Sequence, residues 1–206
     1  MAQVWPEVDA VVLGASAGGV DALLALLPAL QAAPVAPVWL IVLHRGARPR
    51  GEPSLAALLA RACPLPLAEA EDRQPLLGGQ VLLAPADYHL LVDADGAQPV
   101  AALSVDEPLR WSRPAIDPLF ESAAQVFGDR LLAIVLTGAS ADGSDGAAAV
   151  RAAGGELWVQ DPDEAAAAAM PRAALRRAGG ADRVLTLAAL RQALAAPAVA
   201  RPVDPL

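Results

Sequence analysis

Lysine is absent from this 206-residue sequence, so all 15 of its basic side chains are arginine. That absence removes several chemistries. A Walker-A phosphate loop needs a lysine, a pyridoxal enzyme needs one for its Schiff base, and the short-chain dehydrogenases that the turn GASAGG superficially matches use one beside a tyrosine. Cysteine is nearly absent: Cys63 stands alone, no intramolecular disulfide can form, and beside Pro64 and a helical stretch the thiol reads as buried and inert. No apolar run approaches the roughly 18 residues that cross a membrane. Residues Met1 to Glu7 have neither the basic region nor the apolar core of a secretion signal. A cytoplasmic protein, not inserted in a membrane, is expected. Positive charge is scarce, with a net charge of −8 and only 3% aromatic residues. Nucleic acid is therefore excluded as a partner, because an acidic surface repels phosphates and no basic stripe interleaved with aromatics is present. The two histidines, His44 and His89, lie in separate segments without H-x-x-x-H or C-x-x-C spacing, which argues against a metal centre. No cofactor is expected.

What is present is organised around VVLGASAGGVDALLALL, Val11 to Leu27. A β-branched run breaks at Gly14-Ala15-Ser16-Ala17-Gly18-Gly19 and passes at once into leucines at helical spacing, placing Ser16 on a strand-to-helix turn. Glycines on both sides permit tight or positive-φ backbone there. Three readings fit this turn alone: a hydrolase nucleophile on an elbow, a phosphate or dinucleotide cradle, and a plain turn with a serine cap. The missing lysine and the missing G-x-G-x-x-G count against the cradle.

Length and pattern predict one α/β domain over residues 1–195, followed by a flexible proline-containing tail over 196–206. Asp9 to Leu13 reads as a strand and Val20 to Leu27 as its helix, with Pro28 ending or kinking it. Val38 to Leu43 is a continuous apolar run, the mark of a strand buried on both faces, and His44 follows it. A helix over Leu55 to Cys63 is capped by Ser54, and Leu65 to Ala70 forms a short strand. Short strands follow over Gln80 to Ala84, Tyr88 to Asp93 and Pro99 to Ser104, the last two joined at Asp95-Gly96 as an antiparallel hairpin. Asp106 to Pro118 is a long, charged loop of the functional kind, and Leu119 to Phe127 a helix. Leu131 to Leu136 is a second buried strand, ending in Thr137-Gly138-Ala139-Ser140-Ala141-Asp142-Gly143-Ser144-Asp145-Gly146 before an alanine-rich helix to Ala153. Glu156 to Gln160 reads as a strand, the alanine run Ala165 to Ala169 has high helix propensity, Met170-Pro171 opens a helix, and Leu187 to Leu194 forms the last one. The alternation argues a three-layer, doubly wound, mainly parallel sheet with an antiparallel hairpin.

In such sheets sites form at the carboxyl ends of strands, and three strand ends carry Ser16, His44 and Asp142. A serine hydroxyl becomes a nucleophile when an imidazole takes its proton, and a carboxylate fixes the imidazole's tautomer. His44 is favoured over His89, which lies inside a strand and reads as a hydrogen-bonded structural histidine. Asp142 and Asp145 could each instead cap the helix that follows.

The segments GASAGG with Ser16, VLHRG with His44 and TGASADGSDG with Asp142 resemble, in that order, the catalytic domain of the chemotaxis protein-glutamate methylesterases, the CheB family. The resemblance runs from about Val11 to Leu194 and includes Ala68 to Asp72, Ala84 to His89, Arg113 to Phe120 and Met170-Pro171-Arg172. It implies a serine hydrolase that demethylates glutamyl methyl esters on the cytoplasmic helices of chemoreceptors, and in some members deamidates glutamines. By position it makes Ser16 the nucleophile, His44 the general base, Asp142 the carboxylate and the turn near Ala139 the oxyanion donor. Ala17, Ala139-Ser140 and Ala115 depart from the family's usual threonine or serine, Met-Gly and serine, which leaves a catalytically impaired scaffold as the alternative. Because the substrate helices are acidic, Arg45, Arg48, Arg50, Arg110 and Arg113 are expected to form a positive rim. The resemblance covers no receiver domain, so control by a separate protein, by recruitment or by expression is expected.

Overall fold

The computed structural model describes residues 7–31, 36–45, 54–96 and 98–195. The expected tail, 196–206, and the expected rim residues Arg48 and Arg50 lie outside the described residues.

In chain order, β1 (Ala10–Ala15) leads into α1 (Gly19–Leu26) and a 3₁₀ turn at Leu27–Ala29, then β2 (Val38–Leu43), α2 (Leu55–Ala60), β3 (Leu67–Glu69) and β4 (Val81–Leu83). The hairpin β5 (His89–Asp95) and β6 (Gln98–Ser104) follows, then α3 (Ile116–Phe127), β7 (Leu131–Val135), α4 (Ser144–Ala152), β8 (Glu156–Gln160), α5 (Ala169–Arg177), β9 (Arg183–Leu185) and α6 (Leu187–Leu194). Strands β3-β4-β2-β1-β7-β8-β9 form one seven-stranded sheet whose pairings are all parallel, while β5 and β6 form a separate antiparallel pair.

Strands β1, β2 and β7 are buried at every residue, because layers cover both faces and the sequence supplies apolar side chains on both. On one face Val11, Leu13, Ile41 and Ile134 pack with Leu23, Leu26, Leu59 and Leu190 of α1, α2 and α6. On the other, Val12, Leu40, Val42 and Val135 pack with Phe120, Ala147 and Ala174 of α3, α4 and α5 and with Leu90 of the hairpin. This is the expected three-layer arrangement. Starting at β1 the chain builds outward through β2, then returns to build the other way from β7. The connections thus diverge between β1 and β7, the place where open α/β sheets leave a crevice at the strand ends.

Several elements differ from the sequence reading for physical reasons. Helix α3 begins at Ile116 rather than Leu119, because the carboxylate of Asp142, distant in sequence, accepts the Ile116 and Asp117 N–H groups. Pro118 sits in the first turn, where no N–H is needed. The run Ala165–Ala168 is not helical despite its propensity, since tertiary bonds from Thr137 and Gly138 hold its backbone in an irregular course. Helix α2 ends at Ala60, three residues early, and the three-residue strand β9 carried no visible sequence signal. Cys63 is half-buried rather than buried, and burial raises its thiol pKa. Gly14 is required by contact: a Cβ there would stand 2.5 Å from Ile116 Cγ2, so α3 lies directly on β1.

Candidate active site

Strands β1 and β2 run in register to the pair Ala15 and Leu43, so Ser16 and His44 leave adjacent strands at the same level. The His44 N–H donates to Ala15 O at 3.0 Å, and the Ser16 N–H crosses to Thr137 O of the β7 end at 2.9 Å. Ser16 is thereby held between the two strand ends. The turn into α1 passes through Gly18 at φ +77°, where a Cβ would also meet Ala166 Cβ at 2.7 Å, so a glycine is needed twice over.

Thr137 braces this elbow. Its hydroxyl donates to Ala17 O and accepts from the Ala167 N–H, both at 2.8 Å, and its N–H donates to Gln160 Oε1 at 2.8 Å. Gln160 in turn donates to Glu164 at 2.7 Å. Thr137 and Gln160 are polar and buried at a strand end, a position where each polar atom must find a partner. The sequence reading missed both, since nothing local marks them.

Asp142 is completely buried and draws in four N–H donors. Its Oδ2 accepts from His44 Nε2 and from the Ile116 N–H, each at 2.6 Å. Its Oδ1 accepts from Gly143 at 2.9 Å and Asp117 at 3.1 Å. Burial pushes the carboxyl pKa upward, but the bonds from His44, Ile116 and Asp117 and the charge of His44 outweigh it, so the group lies below its ordinary value. An ionised carboxylate only accepts hydrogen bonds, which places the imidazole proton on Nε2 and leaves Nδ1 as the basic nitrogen. Nδ1 receives the Ser112 hydroxyl at 3.3 Å.

A second carboxyl stands behind the first. Asp117, 6% exposed, accepts the Gly146 N–H at 2.8 Å. Burial, opposed by that bond and reinforced by the charges of Asp142 and Asp145, raises its pKa to about 7. Asp145 binds Arg177 at 2.6 Å and Arg110 at 3.0 Å. Those bonds, Arg177's first, hold its pKa low. Neither aspartate caps α4 in the way the sequence allowed: Asp142 instead caps α3, and the N-cap of α4 is Gly143.

The expected positive rim is only partly realised. Arg45 and Arg113 border the site, but Arg45 is paired to Glu69 at 2.8 Å, and Arg110 turns to Asp145 and Asp117. Arg113 donates to the carbonyls of Val105 and Asp106. His89 is structural as expected: it is 2% exposed, its Nδ1 accepts the Ala115 N–H, and its Nε2 meets Glu107 O, both at 3.2 Å. A pocket of about 500 Å³ opens over Ser16 and His44 and is lined also by Ser112, Trp111, Ala139 and Ser140. Among the described residues no group of three or more His, Cys, Asp or Glu is placed to hold a metal ion.

A serine on a tight elbow, a carboxylate-bound imidazole and a shared pocket at a sheet's switch point can support acyl transfer. The family model for the CheB methylesterase domain matches residues 11–194. The chain belongs to the CheB methylesterase family. A putative protein-glutamate methylesterase/protein-glutamine glutaminase of Leptospira interrogans is 40% identical over 179 residues, covering 87% of this chain and 89% of the relative. A protein-glutamate methylesterase/protein-glutamine glutaminase of Rhodospirillum rubrum is 36% identical over 181 residues, and this chain spans 46% of it. The crystal structure of the Thermotoga maritima CheB methylesterase catalytic domain matches with a TM-score of 0.83 at 30% identity, over 91% of this chain and 97% of that domain. Against CheB relatives bearing enzyme names, the non-catalytic scaffold is not favoured.

Proposed function

We propose that this CheB-family chain is a serine hydrolase that cleaves γ-glutamyl methyl esters on the cytoplasmic helices of chemoreceptors, and that the same site deamidates glutamines there. The observation that carries the reading is the 2.6 Å bond from His44 Nε2 to the buried Asp142, with Ser16 and His44 lining one pocket from adjacent strand ends.

Ser16 Oγ attacks the ester carbonyl as its proton passes to His44 Nδ1, the nitrogen left basic by the Asp142 bond. Backbone N–H groups of the turn at Ala139 take up the oxyanion. Collapse of the tetrahedral adduct expels methanol, which leaves with the proton from Nδ1, or ammonia in the glutamine case. The glutamyl ester on Ser16 is then hydrolysed by water activated by the same nitrogen, giving a carboxylate and restoring the hydroxyl. Ser112 donates to Nδ1 in the resting site and yields it to Ser16 when substrate seats. The charge on His44 that develops in each transfer is held by Asp142, whose remaining lone pairs are already satisfied by backbone donors. No helix among the described residues is long and apolar enough to cross a membrane. A fluorophosphonate probe tests the reading: it is expected to label Ser16, mapped by mass spectrometry, and absence of label on a folded protein contradicts it.

A further inference from the structure

Three exposed large apolar side chains, Val105 (67%), Leu109 (45%) and Trp111 (100%), share the loop between β6 and α3, and of these Trp111 lines the pocket. The loop's tip is a two-residue turn. Leu109 N–H bonds Ser112 O at 3.1 Å, Ser112 N–H bonds Leu109 O at 2.9 Å, and Arg110 and Trp111 between them have φ of +48° and +67°.

Both central positions of such a turn favour asparagine and glycine, and a bulky residue with positive φ is uncommon. The turn therefore does not call for its own side chains. Arg110 is accounted for by its bond to Asp145 and a longer ion pair with Asp117, which pin the turn from one side. Ser112 is held on the other side by its two backbone bonds to Leu109. Trp111 is fully exposed, its backbone is held between two bonded neighbours, and it lines the pocket with Ser16 and His44. An exposed indole on a backbone held in place at a pocket rim has a large apolar area to bury on a partner and only two side-chain torsions to order. Beside it Arg113 is bound by two backbone carbonyls, and no carboxylate among the described residues pairs with it.

We propose that Trp111 is the docking anchor for the receptor's methylation helix, packing on that helix's apolar side chains one turn from the esterified glutamate while Arg113 faces its carboxylates. This rests on the hydrolase reading above. Side chains three and four positions from the glutamate lie about 5–6 Å along the same helix face, within reach of an indole on the pocket rim. Each turnover converts a neutral ester into a carboxylate, so the segment becomes more negative as it is processed, which suits an unpaired guanidinium beside the site.

The test compares Trp111→Ala, Trp111→Phe and the unchanged chain on a methylated receptor fragment, read as methanol release, and on p-nitrophenyl acetate. Trp111→Ala is expected to lose at least about tenfold more kcat/KM on the receptor than on the small ester, the size typical of a tryptophan anchor, with Trp111→Phe restoring most of it. In a Ser16→Ala background, receptor addition is expected to shift tryptophan emission to the blue, and Trp111→Phe to abolish the shift. Equal losses on both substrates, or a receptor rate indifferent to Trp111, overturns the docking role. An unchanged chain inert toward both esters and toward a fluorophosphonate overturns the hydrolase reading instead.

Discussion

His44 and Ile116 share a single oxygen of Asp142, each bonded to it at 2.6 Å. One carboxylate thus fixes the imidazole and caps the first turn of α3, so the site and the helix that floors it are assembled together. Asp142→Asn is expected to lower turnover by about 10⁴-fold, because an amide no longer enforces the Nε2–H tautomer. It should also destabilise the fold by about 2–4 kcal/mol, since a buried N–H then faces an amide NH₂ or loses its partner. Steady-state hydrolysis and urea unfolding read the two effects. A variant that loses activity without stability would show that the cap is not coupled to the site.

Asp117 titrates in the working range, with a pKa of about 7 against an ordinary 3.8. A carboxyl whose pKa is raised on folding binds its proton more tightly in the native state, so its contribution is favourable at low pH and lost as pH rises from about 4 through 7. Asp142, with its depressed pKa, has the opposite sign: its contribution is present above the ordinary value and lost as pH falls. Asp117→Asn is expected to remove the alkaline loss and leave the acid loss. Thermal unfolding at pH 3, pH 5 and pH 8 measures both, and an unchanged pH dependence contradicts the assignment.

The Thr137 hydroxyl ties Ala17 to Ala167 across the elbow. Thr137→Val keeps the shape and removes both bonds, which should cost about 1–3 kcal/mol. A displaced Ser16 should cost a further tenfold to hundredfold in turnover. Thr137→Ser, which restores the hydroxyl, should recover the rate.

Gly18 carries both a positive φ and a close approach to Ala166. Gly18→Ala is expected to cost about 1–3 kcal/mol from backbone strain alone, and more from the clash. Adding Ala166→Gly should return the clash component only. Full recovery in the double variant would show that the backbone at Gly18 is not strained by a side chain.

The parallel sheet was legible because strands buried on both faces, such as Val38–Leu43, read as unbroken apolar runs. Ser16 and His44 stood out because each closely follows such a run, whereas Asp142 was preferred to Asp145 through the family resemblance. The start of α3 was not legible, because its cap comes from Asp142 rather than from its own N-cap residue Ala115. The alanines at 165–168 misled in the same way, their helix propensity yielding to tertiary bonds from Thr137 and Gly138. Arg110 could not be assigned from sequence to Asp145 rather than to the rim, since only the fold brings Arg177, Asp145 and Arg110 together. Asp117 was visible as part of a family motif, but its place behind Asp142 depends on how α3 packs against α4.

The claim that Ser16 is the nucleophile is tested most directly by measuring methanol release from a methylated receptor fragment by the unchanged chain and by Ser16→Ala, with folding verified by circular dichroism. The account predicts a fall of roughly 10⁴- to 10⁶-fold in turnover with the fold intact. A folded Ser16→Ala variant that hydrolyses the ester at the original rate would contradict it.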